Sequence, residues 1–569
     1  MNLSDLGSQP GTVESIVVEA PYIANPLHAY HTLANKHSIL LESAEIDSKD
    51  NLKSLLLIDA ALRIECNKNT VVITALSENG QPLLPFIAEL LSDYANPQLQ
   101  AEAEHAQVTS LTLNFNTYDV DLDEDSRLKQ RSVFDALRII QSSLKALRQH
   151  PHAVFLAGVF AYDLLANFES LPEVPESSNT CPDYVFYLAE TLILVDHQTN
   201  STQIIGSVFS GEEVAKHYFS VHQRLEFITN QIAKLPEAIN SKTILPIDPS
   251  TQVSVNKSDQ AYCEDVLALK ENILDGDIFQ VVPSRTFTLA CPNPLLAYEQ
   301  LKLTNPSPYM FYMQDHDFVI FGASPESALK YDATTNYVEI YPIAGTRPRG
   351  KRSDGSIDVD LDSRLELDLQ QDNKEKSEHI MLVDLARNDV ARVSKPGTRH
   401  VKDLLKVDRY SHVMHLVSRV VGELRDDLDA LHAYQACMNM GTLIGAPKIS
   451  AASLIRHTEK ERRGSYGGAV GYFNGLGDFD TCIVIRSAFV KHNLAYVQAG
   501  AGVVNDSVPQ FEADETTAKA QAVISAIKRS NSAVSEKTQT AKASTLVQKA
   551  DDTSLQHDKN MQKQGSKQP

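Results

Sequence analysis

The spacing of hydrophobic positions changes period several times along this chain. Leu55–Ile58, Val71–Leu76, Leu111–Phe115 and Val185–Val195 are short aliphatic runs and predict strands. Between them, Val133–Arg148 repeats its apolar residues every three or four positions and predicts a helix. Leu235–Val255, with three prolines and several Ser, Thr and Asn residues, predicts a connector. Beyond it, Ser258–Asp275 predicts a helix, with Ser258 as N-cap and Gly276 just past the end. Gln280–Leu289, Phe318–Gly322 and Tyr337–Pro342 predict strands, and Leu367–Asn388 a long charged amphipathic helix. Ala469–Phe473, Thr481–Val490 and Ala495–Ala499 predict a strand meander, with a turn at His492-Asn493 before its last member. Pro509–Lys528 predicts a final helix. Strands joined by hairpins beside long helices indicate an α+β fold, not a doubly wound parallel sheet.

Three zones follow: 13–238, 257–529 and 530–569. The last has no aromatic residue and much Lys, Gln, Ser and Thr, so it cannot bury enough apolar area to offset ordering and is predicted disordered. An apolar share of 43% over 569 residues lets a core form without disulfide or metal staples. The charge is −21, from 52 basic and 73 acidic side chains. That balance argues against wrapping nucleic acid or docking on anionic lipid. The longest apolar run, Ala153–Tyr162, falls short of the ~18 residues a membrane helix requires. The acidic start carries no secretory signal pattern, and the six cysteines form no C-x-x-C pair. A cytoplasmic location is the expectation.

Five clusters carry candidate chemistry. Glu375 and Glu378, then Glu512 and Glu515, are i,i+3 pairs that project from one face of a helix each. Facing each other, they make an all-oxygen site that suits Mg²⁺ better than Ca²⁺; apart, they are two solvated faces. Ile343–Gly350 holds small residues and two arginines, the ingredients of an anion cradle or of a plain Gly-Pro turn. Gln498–Val503 follows a strand but lacks the spacing of a phosphate loop, leaving a carboxylate cradle or a bend. Arg462, Arg463 and Tyr466, with Arg486 further along the meander, form the fifth cluster, since an Arg and a Tyr hydroxyl together can clamp a carboxylate. His412 and His415 sit in an alternating, strand-like stretch, where a histidine is ordinarily structural. No nucleophile elbow is present.

Taken in order, Gly276–Gln280, Ser324-Pro325-Glu326, Pro342–Thr346, Leu385–Asp389, Gly445–Lys448 and Gln498–Gly502 resemble the chorismate-utilising enzymes. The resemblance implies large antiparallel sheets with flanking helices. Within the family the pattern is closest to the anthranilate synthase large subunits. Water-adding relatives carry a lysine base where this chain has Gln280, and aminodeoxychorismate synthases carry a nucleophilic lysine where it has Ala344. Ammonia is itself a good nucleophile and needs no such base. The resemblance further implies Mg²⁺ held by Glu378 and Glu515, with Glu375 and Glu512. It implies chorismate contacts from Gly345, Thr346, Tyr466, Arg486, Gly500, Ala501, Gly502 and Lys519. Gln280 and Thr346 join the catalytic set, with Glu326 as acid and His415 in the elimination. In the first zone, Leu40-Leu41-Glu42-Ser43, with Asn305–Phe311, resembles the family's tryptophan feedback site. Glu42, Ser43, Asn305, Pro308, Tyr309 and Met310 are its residues here. The chain itself contains no tryptophan.

No cysteine has the setting of a glutaminase nucleophile, and about 40 residues after Arg529 are too few for the ~100-residue domain one requires. The resemblance therefore implies ammonia from a separate class I glutamine amidotransferase, in a heterotetramer of two large and two small subunits. The rivals are aminodeoxychorismate synthase component I, a phenazine-type enzyme stopping at the aminated intermediate, and a catalytically dead tryptophan-binding regulator. Ala344 and Leu40–Ser43 argue against the first, His415 against the second, and the intact glutamates and Arg486 against the third.

Overall fold

The computed structural model describes residues 3–44, 51–101, 108–148, 150–235, 243–352, 354, 356–410 and 413–532. His412 and the predicted disorder of 533–569 lie outside them.

Two long strands, Asn51–Asn67 and Tyr184–Asp196, pair antiparallel and form the spine. Their ladder is irregular between Leu57 and Leu62, where bulges bend and twist the ribbon. Each strand changes its outer neighbour there, so two sheets diverge from one ribbon. Toward one side the order is Ser38–Ala44, Tyr309–Gln314, Val319–Ser324, Ser487–Lys491, Leu494–Gly500 and Ser284–Ala290. Toward the other it is Phe155–Phe160, Ala469–Asn474, Phe479–Ile483, Ser327–Asp332, Tyr337–Ile340 and Val413–Glu423. All these pairings are antiparallel, and strands from before residue 200 pair directly with strands from beyond 300. A core of Ile39, Phe311 and Phe489 from one sheet, with Phe155, Val159 and Val470 from the other, fills the space between them.

The α+β reading holds, but several boundaries move. Helix Phe134–Ser143 stops short of Arg148, because Leu144 turns extended and Lys145–Ala146 pairs in parallel with Thr12–Val13. Strand Gln280–Leu289 is two strands: Pro283, lacking an N–H, separates Gln280–Val281 from Ser284–Ala290. The long helix is also two, Val359–Gln371 and Asn373–Val393, because Asp372 leaves helical geometry and caps Lys374 and Glu375 N–H groups. Thr481–Val490 breaks before Ser487, where Arg486 takes a φ of 49°. The Ile343–Gly350 stretch is a strand over Ile343–Pro348, bulged at Gly345, rather than a turn. The final helix runs through 509–532, so residues 530–532 belong to the folded chain, with Ser530 fully buried. Asn531 ties that end to Thr251 and to the Ala290 carbonyl.

Candidate active site

The two carboxylate pairs sit at the starts of two helices, where the N-terminal dipole favours anions. Asp372 opens helix Asn373–Val393, which places Glu375 and Glu378 in its first two turns. Glu512 and Glu515 occupy the same place in the helix over 509–532. Gln280 Nε2 donates to Glu378 Oε1 at 3.2 Å. Burial, then Glu375 and Glu515, pushes the Glu378 carboxyl up to about 7. Burial also raises Glu512, with Glu515 adding to it. The Glu515 side chain is 47% exposed; burial works against its ionisation, but Lys519 Nζ at 2.8 Å holds it below its ordinary value. This mutually repelling, all-oxygen set fits a hard divalent cation. The four carboxylates keep a wider spacing than a closed metal cluster: among the described residues only His37, Asp315 and His316 bring three ligand atoms within 4.8 Å of one another.

Gly345 lies beside this set. Its φ is 79°, and a Cβ there would meet Leu416 Cδ1 at 3.2 Å and Glu375 Oε2 at 3.3 Å, so glycine suits both the bulge and the approach. The strand register places Thr346 opposite His415. His415 Nδ1 lies 3.0 Å from Thr346 Oγ1 and 3.2 Å from the Gly345 carbonyl. A carbonyl only accepts, so Nδ1 carries the proton and Nε2 offers its lone pair. Burial, then Arg486, lowers His415 to about 4, so the ring is neutral at pH 7. Tyr410 packs edge-on against it at 5.1 Å.

Glu326 is 6% exposed and accepts from Thr442 Oγ1 at 3.0 Å. Burial pushes its carboxyl up to about 8, making it a neutral acid at pH 7. Arg486 has no carboxylate within 4.0 Å among the described residues, and burial lowers its pKa. Glu515 and Tyr466 are the groups that favour its charge. The Tyr466 phenol, pushed up to about 12 by burial, stays a donor. A Cβ on Gly500 would lie 3.1 Å from Tyr466 Oη, and one on Gly502 2.7 Å from Gln280 Nε2, so these glycines keep the floor open. Lys519 donates to the Gly500 carbonyl at 3.0 Å, and its charge is felt at Glu326, Glu378 and His415. Thus Gln280, Glu326, Gly345, Thr346, Glu375, Glu378, His415, Tyr466, Arg486, Gly500, Gly502, Glu512, Glu515 and Lys519 form one connected neighbourhood.

Other candidates serve the fold. The Ala501 N–H is engaged by the Pro283 carbonyl at 3.2 Å. Arg347 is held by Asp368, Asp372 and Glu375, and Arg349 by Asp362, so neither is a spare anion ligand. Arg462 pairs with Glu176 and Asp183; buried Arg463 forks onto Glu459. The two motifs Leu385–Asp389 and Gly445–Lys448 meet in one partly buried bond, Lys448 Nζ to Asp389 Oδ2 at 2.7 Å. It fastens the Glu375/Glu378 helix to the segment Gly445-Ala446, which pairs with Gln280 and Val281.

A cavity lies between the sheets. Tyr309 pairs with Ser43 and Met310 with Glu42, and with Pro308 they line a cavity of about 800 Å³. Its other walls include Lys53, Tyr472 and Asp480, which sequence reasoning missed, and Pro325, Ile343 and Tyr410, which back onto the first site. Glu42 is buried and bonded to Tyr298 and Lys302, so it anchors the strand. Asn305 does not line the cavity; its N–H closes helix Pro294–Thr304 on the Leu301 carbonyl.

Known proteins share this sequence and architecture. The family described as chorismate binding enzyme matches residues 60–525. Anthranilate synthase component 1 of Vibrio cholerae is 59% identical over 520 residues, spanning 90% of this chain and 96% of its own. The Escherichia coli protein of the same name is 56% identical over 524 residues, spanning 91% and 98%. The crystal structure of anthranilate synthase component I from Streptococcus pneumoniae superposes with a TM-score of 0.62 at 27% identity, covering 89% of this chain and 99% of that one. The menaquinone-specific isochorismate synthase MenF of Escherichia coli shares the fold with a TM-score of 0.62 at 17% identity, covering 92% and 98%. This chain, by sequence and by fold, belongs to the chorismate binding enzymes and, among them, to the anthranilate synthase component 1 family.

Proposed function

We propose that this chain aminates chorismate with ammonia and eliminates pyruvate to give anthranilate. The observation that carries the reading is at Gln280. Its amide is pinned to Glu378, and its buried Oε1 has no hydrogen-bond partner among the described residues. That oxygen can accept an N–H of ammonia but cannot take a proton from water, so the site favours the nucleophile that needs no base.

Chorismate is a dicarboxylate with an enolpyruvyl ether and a hydroxyl leaving group. Arg486, Tyr466 and the backbone of Gly500 and Gly502 hold the enolpyruvyl carboxylate, and Gly345 and Thr346 flank the ring. Glu375, Glu378, Glu512 and Glu515 would hold Mg²⁺, which when bound supplies Lewis-acid stabilisation of the ring carboxylate. Ammonia forms the C–N bond as the ring C–O bond breaks, and Glu326 gives its proton to the departing hydroxyl, which leaves as water. His415 Nε2 then removes the ring proton. The freed electron pair completes the aromatic ring as the bond between the ring and the enolpyruvyl oxygen breaks; the enolpyruvate takes up a proton to become pyruvate, and the ammonium formed on amination gives one up to leave the free amine.

Residues 257–529 carry this chemistry and most of the cavity wall, to which 13–238 add the Leu41–Ser43 and Leu52–Leu55 strands. In the cytoplasm, ammonia comes from a glutamine amidotransferase subunit, in a heterotetramer of two large and two small subunits. Tryptophan occupies the cavity at Ser43 and Pro308–Met310. The test is the nitrogen source. Purified alone, the chain should make anthranilate with ammonium salts and none with glutamine, and added tryptophan should suppress it. Turnover with glutamine alone would refute the separate glutaminase; indifference to tryptophan would refute the feedback site.

A further inference from the structure

A second cluster of metal-ligating side chains stands apart from the four glutamates. His37 immediately precedes strand Ser38–Ala44, and Asp315 and His316 immediately follow strand Tyr309–Gln314. The two strands are neighbours, with Ser38 opposite Gln314, so the three residues meet at one end of the pair. Ligand atoms of His37, Asp315 and His316 all lie within 4.8 Å of one another. His316 Nδ1 is 3.3 Å from Asp315 Oδ2, and its Nε2 is 3.3 Å from Asp317 Oδ2. His37 Nε2 is 3.9 Å from Asp315 Oδ1, too far for a hydrogen bond but close to the separation of two ligands around one ion.

Asp315 is rigidly held, as ligating carboxylates are. Arg63 forks onto it at 2.9 and 2.7 Å, and Tyr187 Oη donates at 2.6 Å. Of about four lone-pair positions on a carboxylate, these three bonds leave one, on the Oδ2 that faces His316. The Arg63 charge is shared with Glu65, and Asp317 adds a further anion, so the cluster stays net acidic. His37 holds a φ of 62°, an unusual conformation for a histidine.

We propose that His37, Asp315 and His316 bind a single transition-metal ion of the Zn²⁺ type, with water in the fourth position. Two imidazole nitrogens select such an ion over Mg²⁺. Closing from the observed spacing to Zn–N bonds of about 2.0–2.1 Å takes only small side-chain movements. The ion would clip together the two strands whose far ends carry Ser43 and Tyr309. The site is independent of the proposed reaction.

The test titrates the full-length chain, freed of metal and then supplied with excess Mg²⁺ to occupy the carboxylate cluster. Zn²⁺ binding is followed by competition with a chromophoric chelator, and Co²⁺ by its visible spectrum. One equivalent should bind, with a tetrahedral Co²⁺ spectrum and a raised melting temperature. His37→Asn, which tolerates the positive φ, and His316→Ala should each weaken binding at least tenfold and abolish the melting shift, leaving the metal-free melting temperature unchanged. Failure to bind one equivalent, or equal binding by the His37→Asn/His316→Ala double variant, would overturn the assignment.

Discussion

Replacing Glu378 by glutamine should eliminate amination while leaving the fold at least as stable. Glu378 is the most perturbed of the four clustered carboxyls: burial, Glu375 and Glu515 all oppose its charge. A carboxylate in that setting is a poor structural element, since the fold spends free energy to keep it ionised. Glutamine keeps the shape and removes the repulsion, so thermal unfolding near pH 7 should occur at an equal or higher temperature. It also removes one of the four anions proposed to hold Mg²⁺. Activity should therefore fall by more than the ~10–100-fold that outer-shell changes at metal sites cost. Steady-state kinetics over a range of Mg²⁺ concentrations, beside a melting curve, checks both halves. A variant that loses stability and activity together would mark Glu378 as structural. One that keeps its activity would remove the carboxylate cluster from the mechanism.

Glu326→Gln should lower kcat by the ~10²–10⁴-fold that a general acid contributes. The pH profile separates this from simple damage. In the free enzyme Glu326 is protonated below about 8, because burial raises it there. The wild-type kcat/KM should thus decline as pH rises through about 8, and the glutamine variant should lack that limb. The stability linkage has the matching sign. Unfolded, the carboxyl titrates near 4.5; folded, near 8. Between those values the native state binds more protons, so this group stabilises the fold below about 4.5 and progressively less as pH climbs toward 8. Urea unfolding at several pH values should show a shallower decline for Glu326→Gln. An unchanged high-pH limb in the variant would assign the acid to another group.

The elements legible in the chain were those with local causes. Ser258 accepts from the Ala261 N–H and starts its helix, and His492 and Asn493 both take positive φ in the tight turn that closes the last hairpin. Breaks were harder, because one side chain decides each. Asp372 interrupts a helical pattern that hydrophobic period carries straight through, and the crowding at the Gly345 bulge comes from Leu416 and Glu375, distant in sequence. The site was legible as separate motifs, not as an assembly. Periodicity says that Glu375 and Glu378 share a face; only the tertiary fold puts Gln280 on Glu378 and Thr442 on Glu326. Thr442, Lys53 and Asp480 carried no local signal. The arginines of 343–350 and 462–463 misled for the opposite reason. They advertised an anion site but are neutralised by acidic partners distant in sequence or on the adjoining helices.

The most direct test is the identity of the aminated product. The purified chain is mixed with chorismate, Mg²⁺ and ammonium at mildly alkaline pH, and the product is followed by fluorescence and separated by chromatography. The predicted result is anthranilate, the ortho isomer, formed with stoichiometric pyruvate and absent with Glu378→Gln. A para-amino product, an aminated intermediate that keeps its enolpyruvyl group, or chorismate left unconsumed would contradict it.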